Sequence, residues 1–139
     1  MSTITLSADS RITAGILLLT IVGIESGGWF MTRIVRGKVP LTDFQKAFAR
    51  AGHAHAGVLV TLGLVAQLLA DATTLSGFAS LVAHIGVPLA AALISAGFFF
   101  SSMGRGEMTQ PNKLIWLVWL GALALAAGVI TLGIGLLTV

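Results

Sequence analysis

Four long apolar runs constrain this chain more than any other feature of its sequence. They cover residues 12–32, 47–70, 77–101 and 114–138, approximately. A helix needs ~20 predominantly apolar residues to cross the ~30 Å hydrocarbon layer of a bilayer. Backbone polar groups in hydrocarbon must pair inside the protein, and the alternation typical of a membrane barrel is absent. The sequence therefore predicts an all-α integral membrane protein, a bundle of four transmembrane helices.

The length of 139 residues accommodates these spans as one domain, residues 1–139, and leaves no room for a separate soluble catalytic domain. Only 9% of the residues are charged, against ~25% in an ordinary soluble domain. Cysteine is absent, which excludes disulfides and thiolate metal sites. The first apolar run is too long for a signal-peptide core, so we expect a retained span. No nucleophile–base pair, phosphate loop or carboxylate pair is present, and we predict no catalytic residue.

The cations predict the orientation of the spans. Of the eight Lys and Arg residues, only Arg11 lies at the end of the bundle that carries both termini. An excess of cations marks cytoplasmic connections, so we expect a multi-pass inner (plasma) membrane protein with both termini outside. Topology also accounts for the net charge of +3, and we expect no nucleic-acid partner. The other seven cations are Arg33, Arg36, Lys38, Lys46, Arg50, Arg105 and Lys113.

The connection between the first two spans carries a helix-start signal. Thr42 is followed three residues later by Gln45, which is the spacing of a capping box. The pattern predicts a helix that begins at Asp43, runs amphipathically along the membrane interface and continues into the second span.

Small residues at helical spacing predict close helix contacts. One pair is Gly23 and Gly27 in the first span. A longer stripe follows the fourth span, and its members are Gly121, Ala124, Gly128, Thr131 and Gly135. Such stripes let helix backbones approach closely in a bilayer, either within one bundle or between protomers.

Four ionisable residues lie within the predicted spans, namely Glu25, His53, His55 and His84. Charged groups in a membrane are costly, so each is a candidate functional residue and a candidate metal ligand. Glu25, His53 and His55 share a layer near the basic end, whereas His84 lies ~15 Å away along the bilayer normal. The alternative is structural: a histidine hydrogen bond between helices, or an ion pair of Glu25 with a nearby histidine or arginine.

His53 and His55 are two residues apart, which places their side chains ~200° apart around a helix. They cannot bind one metal ion together, but they can reach two different neighbours. The spacing suits a helix between two flat cofactors, or between a cofactor and a polar partner such as Glu25. Gly57 lies one turn from His53 on the same face and leaves space there.

The segment Arg50–Leu59, Arg-Ala-Gly-His-Ala-His-Ala-Gly-Val-Leu, resembles a helix of haem–copper oxidase subunit I that holds two haems, one on each histidine. It is also similar to short bacterial four-span proteins with a His-Ala-His-x-x-Leu signature. Subunit I arranges its helices in three arcs of four, so the resemblance implies a homotrimer. His53 of one protomer and His55 of the next would then hold one b-type haem. The chain has no tyrosine to match the oxidase's copper-linked residue, so we expect no oxygen reduction.

The expected function is therefore haem b binding for electron transfer or haem handling, with an unidentified respiratory-chain partner. The haem propionates would meet cations at the same end of the bundle. These cations are Arg33, Arg36, Lys46 and Arg50. Two other functions stay open: a metal-ion or proton conduit lined by Glu25 and the histidines, and an accessory subunit without chemistry.

Overall fold

A computed structural model describes residues 5–104 and 107–139 and confirms the all-α prediction. The helices are α1 (Ala8–Val35), α2 (Asp43–Ala70), α3 (Gly77–Ser101) and α4 (Trp116–Leu137), and a 3₁₀ turn at Lys113–Ile115 leads into α4. No strand occurs in the described parts of the chain. All four helices are long and apolar enough to cross a membrane. Arg105, one of the predicted cytoplasmic cations, lies outside the described residues.

The helix ends follow from local capping. The Thr42 hydroxyl accepts from the Gln45 N–H at 3.2 Å, and the Gln45 side chain accepts from the Thr42 N–H at 3.1 Å. This capping box begins α2 at Asp43, as predicted. At the end of α1, Gly37 has φ +69°, a conformation that glycine adopts without steric cost. The chain reverses there, and α1 and α2 run antiparallel.

Helices α3 and α4 pack most closely, through glycines. A Cβ atom at Gly128 would lie 3.0 Å from the Gly86 Cα of α3, and one at Gly121 would lie 2.6 Å from the Ile94 side chain. A Cβ atom at Gly135 would lie 2.6 Å from the Leu75 side chain. The predicted stripe of small residues in α4 therefore does approach a neighbouring helix closely, and it does so within one chain.

Helix α1 lies at the edge of the bundle. Its backbone packs along α2, and it has only three buried residues, Ser10, Leu17 and Ile34. Of the predicted Gly23–Gly27 pair, only one glycine is in contact with a neighbouring helix. Gly27 meets α2, whereas a Cβ atom at Gly23 would have nothing within 4 Å. The four-residue spacing alone does not distinguish the two glycines. Only Gly27 faces α2, the single close neighbour of α1.

Pro88 interrupts the hydrogen bonding of α3. Proline lacks an N–H, so the carbonyl group of His84, four residues earlier, loses its helical donor. The side-chain amide of Gln67 in α2 donates to this carbonyl oxygen at 2.8 Å. Gln67 is fully buried at 0% exposure. A buried polar residue of α2 thus compensates for a proline in α3.

Candidate functional site

The register of α1 against α2 defines a layer of ionisable groups. Leu17 lies beside Gly63, and Gly27 lies beside His53. The two helices are antiparallel, so the stretch of α1 from Leu17 to Gly27 lies beside the stretch of α2 from Gly63 back to His53. Glu25 therefore lies at the level of His55. The predicted common layer of Glu25, His53 and His55 is present in the structure.

His53 points toward α1. Its Nδ1 atom lies 3.2 Å from the position that a Cβ atom would take at Gly27, and its Nε2 atom lies 3.6 Å from the corresponding position at Gly28. The ring is partly exposed. A pair of glycines in α1 therefore provides the space for this imidazole, a role that the sequence pattern alone did not assign to Gly28.

His55 points to the opposite side of α2. Its ring centre lies 5.0 Å from that of Phe98 in α3, and its side chain is exposed. The Nδ1 atom lies 2.7 Å from the carbonyl oxygen of Ala51. A carbonyl can only accept, so Nδ1 carries the hydrogen and Nε2 of the neutral ring keeps its lone pair. Histidines that bind metals through Nε2 commonly donate their Nδ1–H in this way.

The four predicted metal-ligand candidates do not converge on one ion. His53 and His55 lie on opposite sides of α2, as helical geometry requires. The described residues contain no group of three His, Asp or Glu side chains that could hold a metal ion. Any metal at the two histidines would therefore need further ligands, such as a macrocycle or a second copy of the chain.

His84 lies in a different layer, level with Gln67 on α2. Gln67 is twelve residues beyond His55, which corresponds to ~18 Å along the helix. The predicted separation of His84 from the other histidines is present, and its surroundings are polar. Its Nδ1 atom lies 2.7 Å from the Ser80 carbonyl oxygen, and its Nε2 atom lies 3.2 Å from Asp71 Oδ1.

Asp71 is a site residue that sequence reasoning missed. It caps the end of α2, and its Oδ2 atom accepts from the Ser7 N–H at 2.8 Å. Burial raises the pKa of the Asp71 carboxyl, but hydrogen bonds from Ser7 and His84 outweigh that effect, and the net result is a lowered pKa. The only signal in the sequence is that Asp71 is the first acidic residue after the second apolar run.

The glycines near the histidine pair have different roles. A Cβ atom at Gly57 would have nothing within 4 Å, so the predicted space on the His53 face of α2 is present. Gly52 instead allows α3 to pack closely against α2, because a Cβ atom there would lie 3.0 Å from the Phe99 ring. It contributes to helix packing and does not widen the site.

The predicted propionate-binding cations lie at the expected end of the bundle. Arg33 stacks over the Trp29 ring at 5.1 Å, and Lys46 pairs with Asp43 at 3.1 Å. Arg36 and Arg50 are exposed. These side chains are close to water and are not buried in a binding pocket.

Glu25 is exposed on α1 and forms no hydrogen bond or ion pair with the described residues. Since α1 is apolar enough to cross a membrane, this carboxyl lies on a surface that lipid or another protein chain would cover. Its predicted pairing with a histidine or arginine is not formed within the described part of one chain.

Comparisons with models of known families, with curated proteins and with solved structures find no significant match to this chain.

Proposed function

We propose that this protein binds b-type haem in the inner membrane through His53 and His55, for electron transfer or haem handling. The observation that carries the proposal is the hydrogen bond of His55 Nδ1 to the Ala51 carbonyl at 2.7 Å. It orients an exposed imidazole with a free Nε2 lone pair, which is the arrangement found in histidines that ligate metals. Histidine on a membrane helix is an established axial ligand of haem.

The second axial ligand is His53 of a neighbouring copy. His53 and His55 of one chain face opposite sides of α2, so one haem cannot take both from the same helix. A cyclic homo-oligomer pairs each His53 with the His55 of the next protomer and leaves no ligand unmatched. The oxidase resemblance favours three protomers. The exposed Glu25 and His55 support an oligomer independently, because ionisable groups at membrane depth normally face protein.

The surroundings of the histidines fit a flat anionic cofactor. Gly57 adjoins open space on the His53 face. Arg33, Arg36, Lys46 and Arg50 lie at the nearer membrane end, where they can bind propionates. The orientation with both termini outside belongs to the same proposal, and it places the propionates on the cytoplasmic side.

Visible absorption spectroscopy of protein from haem-replete cells tests the proposal. A Soret band and a sharp reduced α-band are expected. His53→Ala and His55→Ala should each abolish the low-spin spectrum, while His84→Ala, in the other layer, should retain it. A colourless preparation, or spectra unaffected by both substitutions in the histidine pair, would contradict haem binding at these residues.

Two glycines of α1 provide a matched control. Gly27→Leu adds a side chain against His53 Nδ1, where even a Cβ atom would come within 3.2 Å. Gly23→Leu adds the same side chain one turn away, where nothing lies within 4 Å. Because the added side chain at Gly27 displaces the His53 ring, we expect Gly27→Leu to lose most of the haem. We expect Gly23→Leu to keep it. Equal haem content in the two variants would count against His53 as a ligand.

A second candidate function, an ion or proton conduit, is favoured by Glu25. Its carboxyl is exposed, level with His55 and without an ionic partner in the described residues. A ring of such residues in an oligomer can line a polar path. Flux through liposomes that is lost in Glu25→Gln, from protein that carries no haem, would support this function over the first.

A further inference from the structure

We propose that the groove between α1 and α3 binds a quinone, and that the Ser95 hydroxyl donates a hydrogen bond to one quinone carbonyl. The groove has a volume of about 430 Å³, and α2 contributes Ala56 and Val60 to its lining. Binding in this groove does not require haem. The choice of a quinone among neutral carbonyl compounds rests on the proposed haem function.

Ser95 of α3 brings an unpaired hydroxyl to this groove. The residue is only 8% exposed, and its hydroxyl forms no hydrogen bond with the described residues. Thr20 also lines the groove, but its hydroxyl donates to the Leu17 carbonyl oxygen at 2.7 Å. A buried donor without a partner is costly, and most buried polar groups in proteins are paired. A bound molecule with an acceptor atom would give Ser95 its partner.

The rest of the groove restricts this partner to an uncharged molecule. None of the described residues that line the groove is charged. Ser95 lies six residues before the end of α3, which is ~9 Å along a helix long and apolar enough to cross a membrane. A carboxylate, or the headgroup beside a phospholipid ester carbonyl, would leave water there without a counter-charge. An acyl chain alone has no acceptor for the hydroxyl, so a neutral carbonyl compound fits best.

The groove has room for a small head and an apolar tail. Along α1 its lining extends from Ile24 back to Thr13, eleven residues or ~16 Å. Its volume lies within the range of ~300–1,000 Å³ that is usual for ligand pockets, which combine mostly apolar walls with a few polar groups. A carbonyl head at Ser95 would direct its tail toward Thr13, between Leu17 of α1 and Pro88 of α3.

Ser95 also lies in the layer of the histidine pair. Gly52 of α2 lies beside Phe98 of α3, and the two helices are antiparallel. Three residues further along α2 and three residues back along α3, His55 and Ser95 are therefore level. The carbonyl head would lie beside the helix that carries both proposed haem ligands. Quinones are the neutral, lipid-soluble carbonyl compounds that carry electrons, so this position favours a quinone.

Calorimetric titration of the full-length protein in detergent tests the site. The probe is decylubiquinone, and its control is decylbenzene, which has the same tail and no carbonyl. The unmodified protein should bind decylubiquinone saturably and decylbenzene more weakly. Infrared difference spectra of the bound quinone should show one carbonyl stretch at lowered frequency, because a hydrogen bond weakens the C=O bond. Equal affinity for the two probes would show a groove that accepts any apolar chain and would overturn the proposal.

Matched substitutions locate the bound probe. Ser95→Ala should raise the Kd about three- to tenfold, as the loss of one hydrogen bond predicts, and should abolish the infrared shift. Ser101→Ala removes a hydroxyl of the same helix that donates to the Phe98 carbonyl oxygen, and it should change neither. Ala92→Phe fills the groove from an exposed position and should abolish binding, whereas Ala126→Phe, at an exposed position of α4 outside the groove, should not. Unchanged binding in Ser95→Ala or in Ala92→Phe would overturn the proposal.

Titrations of haem-free protein and of protein from haem-replete cells separate this site from the proposed haem site. Saturable quinone binding that weakens in Ser95→Ala, in a protein that never acquires haem, would support the groove and contradict the haem proposal. Haem bound through the histidine pair, together with no saturable quinone binding, would support the haem proposal and overturn the groove as a quinone site.

Discussion

At the scale of single residues, one hydrogen bond between helices replaces the bond that a proline removes from α3. Pro88 removes the donor that the His84 carbonyl would have within α3, and Gln67 supplies a replacement from α2 at 2.8 Å. The same carbonyl belongs to the residue whose ring pairs with Asp71. One polar side chain of α2 therefore holds the backbone of α3 at the level of the His84–Asp71 contact.

This exchange predicts a compensating pair of substitutions. Gln67→Met leaves the partly buried His84 carbonyl without a donor, which should cost about 1–3 kcal/mol of unfolding free energy. Pro88→Ala restores the helical N–H donor, so the double variant should regain most of that loss. Unfolding in detergent, followed by circular dichroism, measures the cycle. Strictly additive effects of the two substitutions would show that the hydrogen bond does not couple these positions.

Local signals in the sequence predicted residues whose partners lie nearby in the chain. The Thr42–Gln45 capping box and the opposite directions of His53 and His55 both depend on helical geometry alone, and both are present. Asp71 and the Gly27–Gly28 pair act across helices, and their roles depend on the register of α1 against α2 and α3. Neither a spacing nor a residue type in the sequence contains that register.

At the scale of helices, the crossing of α3 and α4 is set by glycine against glycine. The small-residue stripe predicted a close contact but left its partner open, because the same spacing serves contacts within and between chains. The structure assigns Gly128 to α3 of the same chain. The Gly23–Gly27 pair also has a helical spacing, yet only Gly27 is in contact. Helix α1 lies at the edge of the bundle, and only this glycine of the pair faces α2.

Two glycines of α4 test this crossing with an internal control. Gly128→Leu places a side chain where a Cβ atom already lies 3.0 Å from the Gly86 Cα, and backbone atoms cannot rotate away. Gly133→Leu makes the same change where nothing lies within 4 Å. Helix propensity changes equally in both variants, so any extra loss of stability in Gly128→Leu comes from packing. Overpacking typically costs about 1–3 kcal/mol of unfolding free energy. Equal melting temperatures would contradict the close crossing.

At the scale of the whole molecule, the four spans do not define which end faces the cytoplasm. The distribution of the cations predicts this orientation. Single cysteines at Ser76 and at Lys38 lie at opposite ends of the bundle in a chain without native cysteine. The excess of cations at the Lys38 end predicts that an impermeant thiol reagent added outside intact cells labels only the Ser76 position. Labelling of Lys38→Cys alone would reverse the proposed orientation and move the histidine pair toward the outer face.

The assembly of copies can be tested by mixing two inactive chains. A His53→Ala chain keeps His55, and a His55→Ala chain keeps His53, so neither assembles a bis-histidine haem site with its own copies. In a cyclic oligomer formed from equal amounts of both, about one interface in four joins an intact His53 to an intact His55. Co-expression should therefore restore about a quarter of the low-spin haem absorbance per chain. Haem in the unmodified protein together with no recovery in the mixture would place both ligands within one protomer, where the half-exposed His53 beside Gly27 would have to find a partner other than His55.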